Sequence, residues 1–162
     1  MSFHVPPAPF ATFSSSQTQS ISNAANAQAI TYNITGLSKG ITLASNTRIT
    51  LPQVGNYALS FSAIGHYPGS SNTRWFNIFL RKNLSDVDGS STIVALAKDQ
   101  PLTIMATFDL TCTTPGDYYE IIMAGQETNC QILATAAQAA VPSVSPAMPA
   151  CPSIIVAVWQ IN

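Results

Sequence analysis

Side chains suited to catalysis are few in this 162-residue sequence. Its only histidines, His4 and His66, give almost no material for an imidazole-based catalytic or metal site. Asp117 and Glu120 could supply the two carboxyl groups of a glycosidase, but an offset of three along a strand places side chains on opposite faces. The sequence contains no G-x-S-x-G, no phosphate-binding glycine loop and no H-E-x-x-H. We therefore predict that the protein is not an enzyme.

Residues that could bind a metal are equally sparse. Asp86 and Asp88 precede a glycine as in calcium loops, but the later glutamate of an EF-hand is missing, and Asp and Gly are also ordinary turn residues. Cys112, Cys130 and Cys151 lack C-x-x-C spacing, which disfavours zinc and a full disulfide framework. We interpret them as buried thiols, and the sequence leaves open whether any forms a disulfide. No metal or cofactor is predicted.

The composition is unusually poor in charge. Charged residues make up 8% of the chain and hydrophobic residues 46%, whereas an ordinary soluble domain has about 25% charged residues. The net charge of -1 and the scattered cations predict no nucleic-acid or membrane partner. No N-terminal segment has the pattern of a secretory signal, and no apolar run approaches the roughly 20 residues that span a bilayer. The scarcity of charge predicts that other copies of the chain cover part of its surface.

The chain divides into a short arm and one domain. Residues 1–9 hold three prolines and predict an extended arm. Residues 10–162 consist of short apolar segments separated by Gly, Pro, Asn and Ser, without a sustained 3.6-residue period. This pattern predicts a single all-β domain.

The predicted strands are of two kinds. In Leu102–Cys112 and Thr47–Leu51, apolar residues alternate with polar ones, which predicts that both belong to one sheet with a solvated face. Ile154–Ile161 is apolar on both faces, Tyr118–Met123 is nearly so, and Asn56–Ala63 pairs a bulky face with a face of small residues. We expect these three segments to form a second sheet whose outer face packs against other copies.

Two further segments admit a binding interpretation. Val141–Pro152 contains four prolines, so it is predicted to be a long surface loop, either a plain connection or a binding element. Arg74 stands beside Trp75 and Phe76, which allows sugar binding, although aromatic residues in a strand are more typical of the core.

Three local patterns carry a resemblance to a known family. Val54-Gly55-Asn56-Tyr57 resembles that family's Gly-x-Tyr strand opening, and the strand Asn77–Asn83 resembles its strand ending in Lys-Asn. Pro115-Gly116-Asp117-Tyr118 resembles a Gly-Asp turn into an inner strand. In this order they resemble the tumour-necrosis-factor and complement-globular-head superfamily of trimeric jelly rolls, particularly its bacteriophage versions. The resemblance covers most of the chain from Phe10 to Ile161.

This resemblance implies a jelly-roll β-sandwich of two antiparallel sheets with about eight to ten strands. It also implies a homotrimer formed through the inner sheet, which agrees with the two-sided strands. The candidate interface residues are Tyr57, Tyr119, Ile121, Ile155, Ala157 and Trp159.

By the same resemblance, we expect a structural virion protein that decorates and cements a phage head. It would assemble in the host cytoplasm and lie on the capsid surface, with the major capsid protein as partner. The candidate docking arm comprises Phe3, His4, Val5, Pro6 and Pro7.

Two alternatives remain open. The first is a receptor-binding head of a tail or head fibre that recognises cell-surface glycans through the loops Gly65–Thr73 and Val141–Pro152. The second is a glycan-degrading enzyme, which would require a cleft with convergent carboxylates.

Overall fold

The computed structural model describes residues 8–24, 26–69, 73–139 and 146–161. Within these ranges the chain forms fourteen strands and no helix. They are β1 (Phe10–Ser15), β2 (Gln19–Ser20), β3 (Gln28–Ala29), β4 (Ile34–Lys39), β5 (Thr42–Ala44), β6 (Arg48–Thr50), β7 (Gly55–His66), β8 (Arg74–Lys82), β9 (Ser85–Asp86), β10 (Thr92–Leu96), β11 (Leu102–Cys112), β12 (Tyr118–Gly125), β13 (Gln131–Ile132) and β14 (Ile154–Gln160). Nothing in the described part has the helical length and apolarity needed to cross a bilayer.

The strands form two antiparallel sheets. In sheet I the order is β2-β13-β7-β14-β1-β4, with β11 also paired to β7. In sheet II the order is β10-β8-β12-β6-β5, with β3 on β12 and β9 on β8. The predicted all-β class with two antiparallel sheets is thus confirmed. The strand count exceeds the expected eight to ten because β2, β3, β9 and β13 are two-residue pairings.

The core lies between the two sheets, and β7 illustrates how the sequence builds it. Its inward residues Tyr57, Leu59 and Phe61 are bulky and buried, whereas its outward residues Ser60 and Ser62 are small and half-buried. This period-2 pattern fits a strand with one face in a core. From sheet II, the inward positions of β8 and β12 add further large buried side chains, among them Phe76, Ile78, Leu80 and Met123.

The packing beside β7 is close at Gly65. A Cβ atom there would lie 2.8 Å from Ile104 Cδ1 and 2.9 Å from Leu96 Cδ2. Gly65 therefore lets two apolar side chains fill the space beside β7.

Two strand assignments made from the sequence were wrong. β11 and β6 alternate alike, yet β11 lies in sheet I and β6 in sheet II. β12 lies in sheet II rather than beside β7 and β14. It is nearly two-sided because its second face is covered by the chain's own residues. There Glu120 accepts a hydrogen bond from Thr47 Oγ1 at 2.7 Å and lies 3.7 Å from Arg48, while Ile122 is fully buried.

In its described part, the segment before β14 pairs with the preceding chain by backbone hydrogen bonds and is not an unpaired loop. We call this pairing the paired excursion. Thr135 and Cys151 exchange backbone hydrogen bonds of 2.9 Å, and Gln138 and Met148 exchange a second pair. Residues 141–145 of the predicted loop lie outside the described residues.

The predicted arm is described only at its end. Phe3, His4, Val5, Pro6 and Pro7 lie outside the described residues. The Pro9 carbonyl accepts a hydrogen bond of 2.9 Å from Gln160 N, so the chain already runs beside β14 at residue 9.

Candidate self-association face

The face of sheet I that points away from the core brings together side chains from β14, β7 and β11. The strand register sets them in three rows: Ile155, Ser62 and Met105; Ala157, Ser60 and Thr107; and Trp159, Ala58 and Asp109. β1 places Thr12 opposite Ala157, and the same register brings Phe10 opposite Trp159. We call these eleven residues the outward face.

The outward face combines exposed apolar side chains with small ones. Met105 is 69% exposed, Ile155 is 49% exposed and Trp159 is 40% exposed. Ser60 accepts a hydrogen bond of 3.2 Å from Thr107 Oγ1. A shallow depression of about 480 Å³ lies over the first two rows. Because small residues occupy its floor, another surface can approach the sheet closely there.

Three of the six predicted interface residues lie on this face, next to one another on β14: Ile155, Ala157 and Trp159. The sequence did not lead us to place Met105 on this face, although Met105 is the one apolar residue in the row of Thr and Asp on the polar side of β11. That exception was the signal that could have found it.

The other three predicted interface residues lie in the core, which corrects the expectation for them. Tyr57 and Ile121 are 0% exposed and Tyr119 is 4% exposed. Tyr57 lies on the inward side of β7, and Tyr119 and Ile121 belong to sheet II. The hydroxyl of Tyr57 donates to the Gln53 carbonyl at 2.9 Å. These side chains stabilise the sandwich and are not available on its surface.

The Lys-Asn and Gly-Asp patterns of the sequence meet in one cluster at the end of β8. Asp117 accepts hydrogen bonds from Asn83 Nδ2 at 2.8 Å and from Thr113 N at 2.8 Å, and it lies 3.0 Å from Lys82 Nζ. These hydrogen bonds, that of Asn83 foremost, hold the pKa of the Asp117 carboxyl well below its usual range. Partial burial is the largest single influence and lowers the pKa of Lys82, but the hydrogen bond to Asp117 and the electrostatic attraction of Tyr119, Asp117 and Cys112 together outweigh it, so the pKa is raised overall. The cluster joins two loops and is structural.

No protein-family model matches the chain, and no curated protein matches it. Solved structures do match. The globular domain of the zebrafish complement 1qA protein matches 96% of this chain and 98% of its own, with 14% identity and a TM-score of 0.55. Murine APRIL at pH 8.5 matches 96% of this chain and 100% of its own, with 9% identity and a TM-score of 0.53. The crystal structure of murine APRIL at pH 8.0 has the same coverage, 8% identity and a TM-score of 0.54. The chain has the jelly-roll fold of these structures.

At such low identity, these structural matches establish the fold of the chain and not its activity. The predicted jelly-roll class is confirmed, and the fold is similar to that of the complement globular domain and of APRIL. The bacteriophage version of that likeness stays a prediction.

The other candidate sites of this jelly roll hold structural contacts. Within the described residues no group of three His, Cys, Asp or Glu side chains could hold a metal ion. Asp86, from the segment that resembles a calcium loop only in part, pairs with Arg81 at 2.8 Å. Cys112 and Cys130 are buried thiols as predicted, whereas Cys151 is exposed on the paired excursion before β14. The prediction that the protein is not an enzyme stays a prediction.

The Arg74-Trp75-Phe76 segment divides between core and surface. Phe76 is fully buried, as the core interpretation requires, but Trp75 is 45% exposed on the outer side of sheet II. Arg74 Nε donates to Glu127 at 2.6 Å, and Tyr67 donates to the same carboxylate at 2.7 Å. Arg74 thus holds a loop in place, and Trp75 is the residue of this segment that a ligand can reach.

Proposed function

We propose that the protein is a structural subunit that assembles into a homotrimer through the outward face of sheet I. We further propose that the trimer decorates and cements a bacteriophage head. The observation that carries the first part is a face that combines the exposed apolar side chains of Met105, Ile155 and Trp159 with small residues and has Asp109 as its one charged member.

The energetics favour another copy of the chain as the occupant of this face. Fully burying a medium-sized apolar side chain contributes about 1.5 to 3 kcal/mol, so the exposed areas of Met105, Ile155 and Trp159 represent several kcal/mol that association would gain. The near absence of charge removes the repulsion that identical surfaces would otherwise have. A chain with 8% charged residues is also consistent with a subunit that is partly covered in its working state.

The trimeric state is supported by the family resemblance and by the two edges of sheet I. β4 and β11 lie at opposite edges of sheet I, and they differ in sequence. Joining unlike edges head to tail generates a ring, which closes at three copies in the superfamily that the chain resembles.

The virion role is supported by the bacteriophage resemblance and by the apolar, Pro-rich arm. A trimer that bridges major capsid proteins on the capsid surface, after assembly in the host cytoplasm, would add buried contact area and so resist opening of the shell. The mechanism is mechanical and requires no catalytic residue or cofactor.

Binding to emptied phage shells that lack the protein tests this role. We expect the full chain to bind such shells, and a variant without residues 1–7 to bind at least tenfold more weakly while remaining trimeric. This truncation keeps Pro9, whose carbonyl bonds to β14. Equal binding by the two forms would rule out the arm as the anchor, and failure of the full chain to bind shells would contradict the cement role.

A receptor-binding head is the second candidate, and the exposed indole of Trp75 is the observation that favours it. Indole faces stack on sugar rings. Binding of the trimer to host-cell glycans, lost on Trp75→Ala, together with no binding to shells, would favour this alternative.

A further inference from the structure

Almost every charged side chain of the protein has an opposite charge beside it in the same chain. All six Lys and Arg and all seven Asp and Glu lie within the described residues. Five ion pairs occur: Arg48 with Glu120, Arg74 with Glu127, Arg81 with Asp86, Lys82 with Asp117 and Lys98 with Asp99. Among the described residues they leave one cation, Lys39, and two acids, Asp88 and Asp109, without an ion pair.

Lys39 and Asp109 lie in one row at opposite edges of sheet I. Lys39 on the edge strand β4 stands opposite Phe10 of β1. The row continues through Trp159 of β14 and Ala58 of β7 to Asp109 on the edge strand β11. Neighbouring strands are about 4.8 Å apart, so the backbones of the two end residues are about 19 Å apart. The two charges therefore cannot pair within one copy.

We propose that Lys39 of one copy pairs with Asp109 of a neighbouring copy. This inference rests on the self-association proposed above and specifies its orientation. Phe10, Trp159 and Ala58 form the apolar middle of the row, so a neighbouring copy that joins head to tail against it removes water from the charges at either end. A charge that loses water without an opposite partner destabilises the complex. When the β4 edge of one copy meets the β11 edge of the next, each of these two charges gains an opposite partner.

Asp88 provides a matched comparison. It is exposed and has no ion pair among the described residues, but it lies in the turn before β10 at the edge of sheet II. If any unpaired acid could be the partner of Lys39 in a neighbouring copy, reversing the charge of Asp88 would weaken association as much as reversing the charge of Asp109.

A charge-reversal cycle tests the pair by sedimentation equilibrium of the full chain. We expect Lys39→Glu and Asp109→Lys each to raise the dissociation constant about tenfold or more, because each places like charges together. The double variant Lys39→Glu/Asp109→Lys should return to within about threefold of the wild type, while Asp88→Lys should associate normally. High salt should weaken the wild type and strengthen the single variants.

The outcomes separate this inference from the function on which it rests. A wild-type protein that is monomeric at micromolar concentration would overturn both. An oligomeric wild type whose double variant is no better than either single variant would overturn the Lys39–Asp109 pair alone, and so would an equal loss of association in Asp88→Lys.

Discussion

Replacing Ala157 by glutamate is expected to leave the fold intact and to weaken self-association at least a thousandfold. Ala157 lies in the middle row of the outward face, between Thr12 and Ser60. A glutamate there would carry a charge into the centre of each interface and remove the space that small residues provide. Desolvation and repulsion together cost about 4 kcal/mol or more, and every 1.4 kcal/mol is a factor of ten. Sedimentation measures the loss, and circular dichroism checks the fold.

Ile93→Glu is the matched control for this variant. Ile93 is 67% exposed, but it lies on β10 at the edge of sheet II. It should associate like the wild type. If both variants lost self-association equally, any added charge would disrupt it, whatever its position. Normal association of Ala157→Glu would exclude the outward face as the interface.

Replacing Asp117 by asparagine is expected to lower the free energy of unfolding by roughly 3 kcal/mol at neutral pH. The carboxylate accepts hydrogen bonds from Asn83 and Thr113 and pairs with Lys82. An asparagine side chain has the same shape but no charge, and one of its two polar atoms donates where the carboxylate accepts. Hydrogen-bond donors around this shielded position and the charge of Lys82 are then left without their acceptor. Urea unfolding at a fixed protein concentration measures the change. Asp88→Asn, an exposed acid, should stay within about 0.5 kcal/mol of the wild type.

The same variant predicts a change in acid sensitivity. The pKa of Asp117 is lower in the folded protein than the value of about 3.9 in an unfolded chain. Its stabilisation is therefore complete above about pH 5 and is lost as the pH falls through the folded pKa. The wild type should lose more stability between pH 5 and pH 2 than Asp117→Asn does. Parallel pH profiles for the two proteins would contradict the assigned role of this carboxylate.

The fold class was predictable because local patterns determine it. Alternation in Leu102–Cys112 and the two-sided apolar run of Ile154–Ile161 both form the strands that their patterns indicate. Which strands become neighbours was not predictable from alternation. β6 and β11 read alike although they lie in different sheets, because a half-buried strand has the same period wherever it pairs.

Half of the candidate interface residues could be predicted, because local patterns show whether a strand is apolar on both faces but not what covers each face. Apolar residues on both faces of β14 indicated that Ile155 and Trp159 would lie outside the core of their own chain, and both are exposed there. The two-sided pattern of β12 has another cause, since Glu120 on its second face is covered by Thr47 within the chain. Sequence alone does not distinguish cover by the same chain from cover by another copy.

The row that links Lys39 to Asp109 illustrates a second limit. The two residues are 70 positions apart in the sequence, and their common row depends on the register of four strand pairings. Register follows from how whole strands fit together in the sheet. Their relation therefore becomes visible only in the folded protein.

The mass of the native protein in solution tests the central claim most directly. Sedimentation equilibrium of the full chain at micromolar concentration should give a species of three times the 17.2 kDa chain mass. A homogeneous species of 17.2 kDa under the same conditions would contradict self-association through the outward face, and with it the proposed structural role.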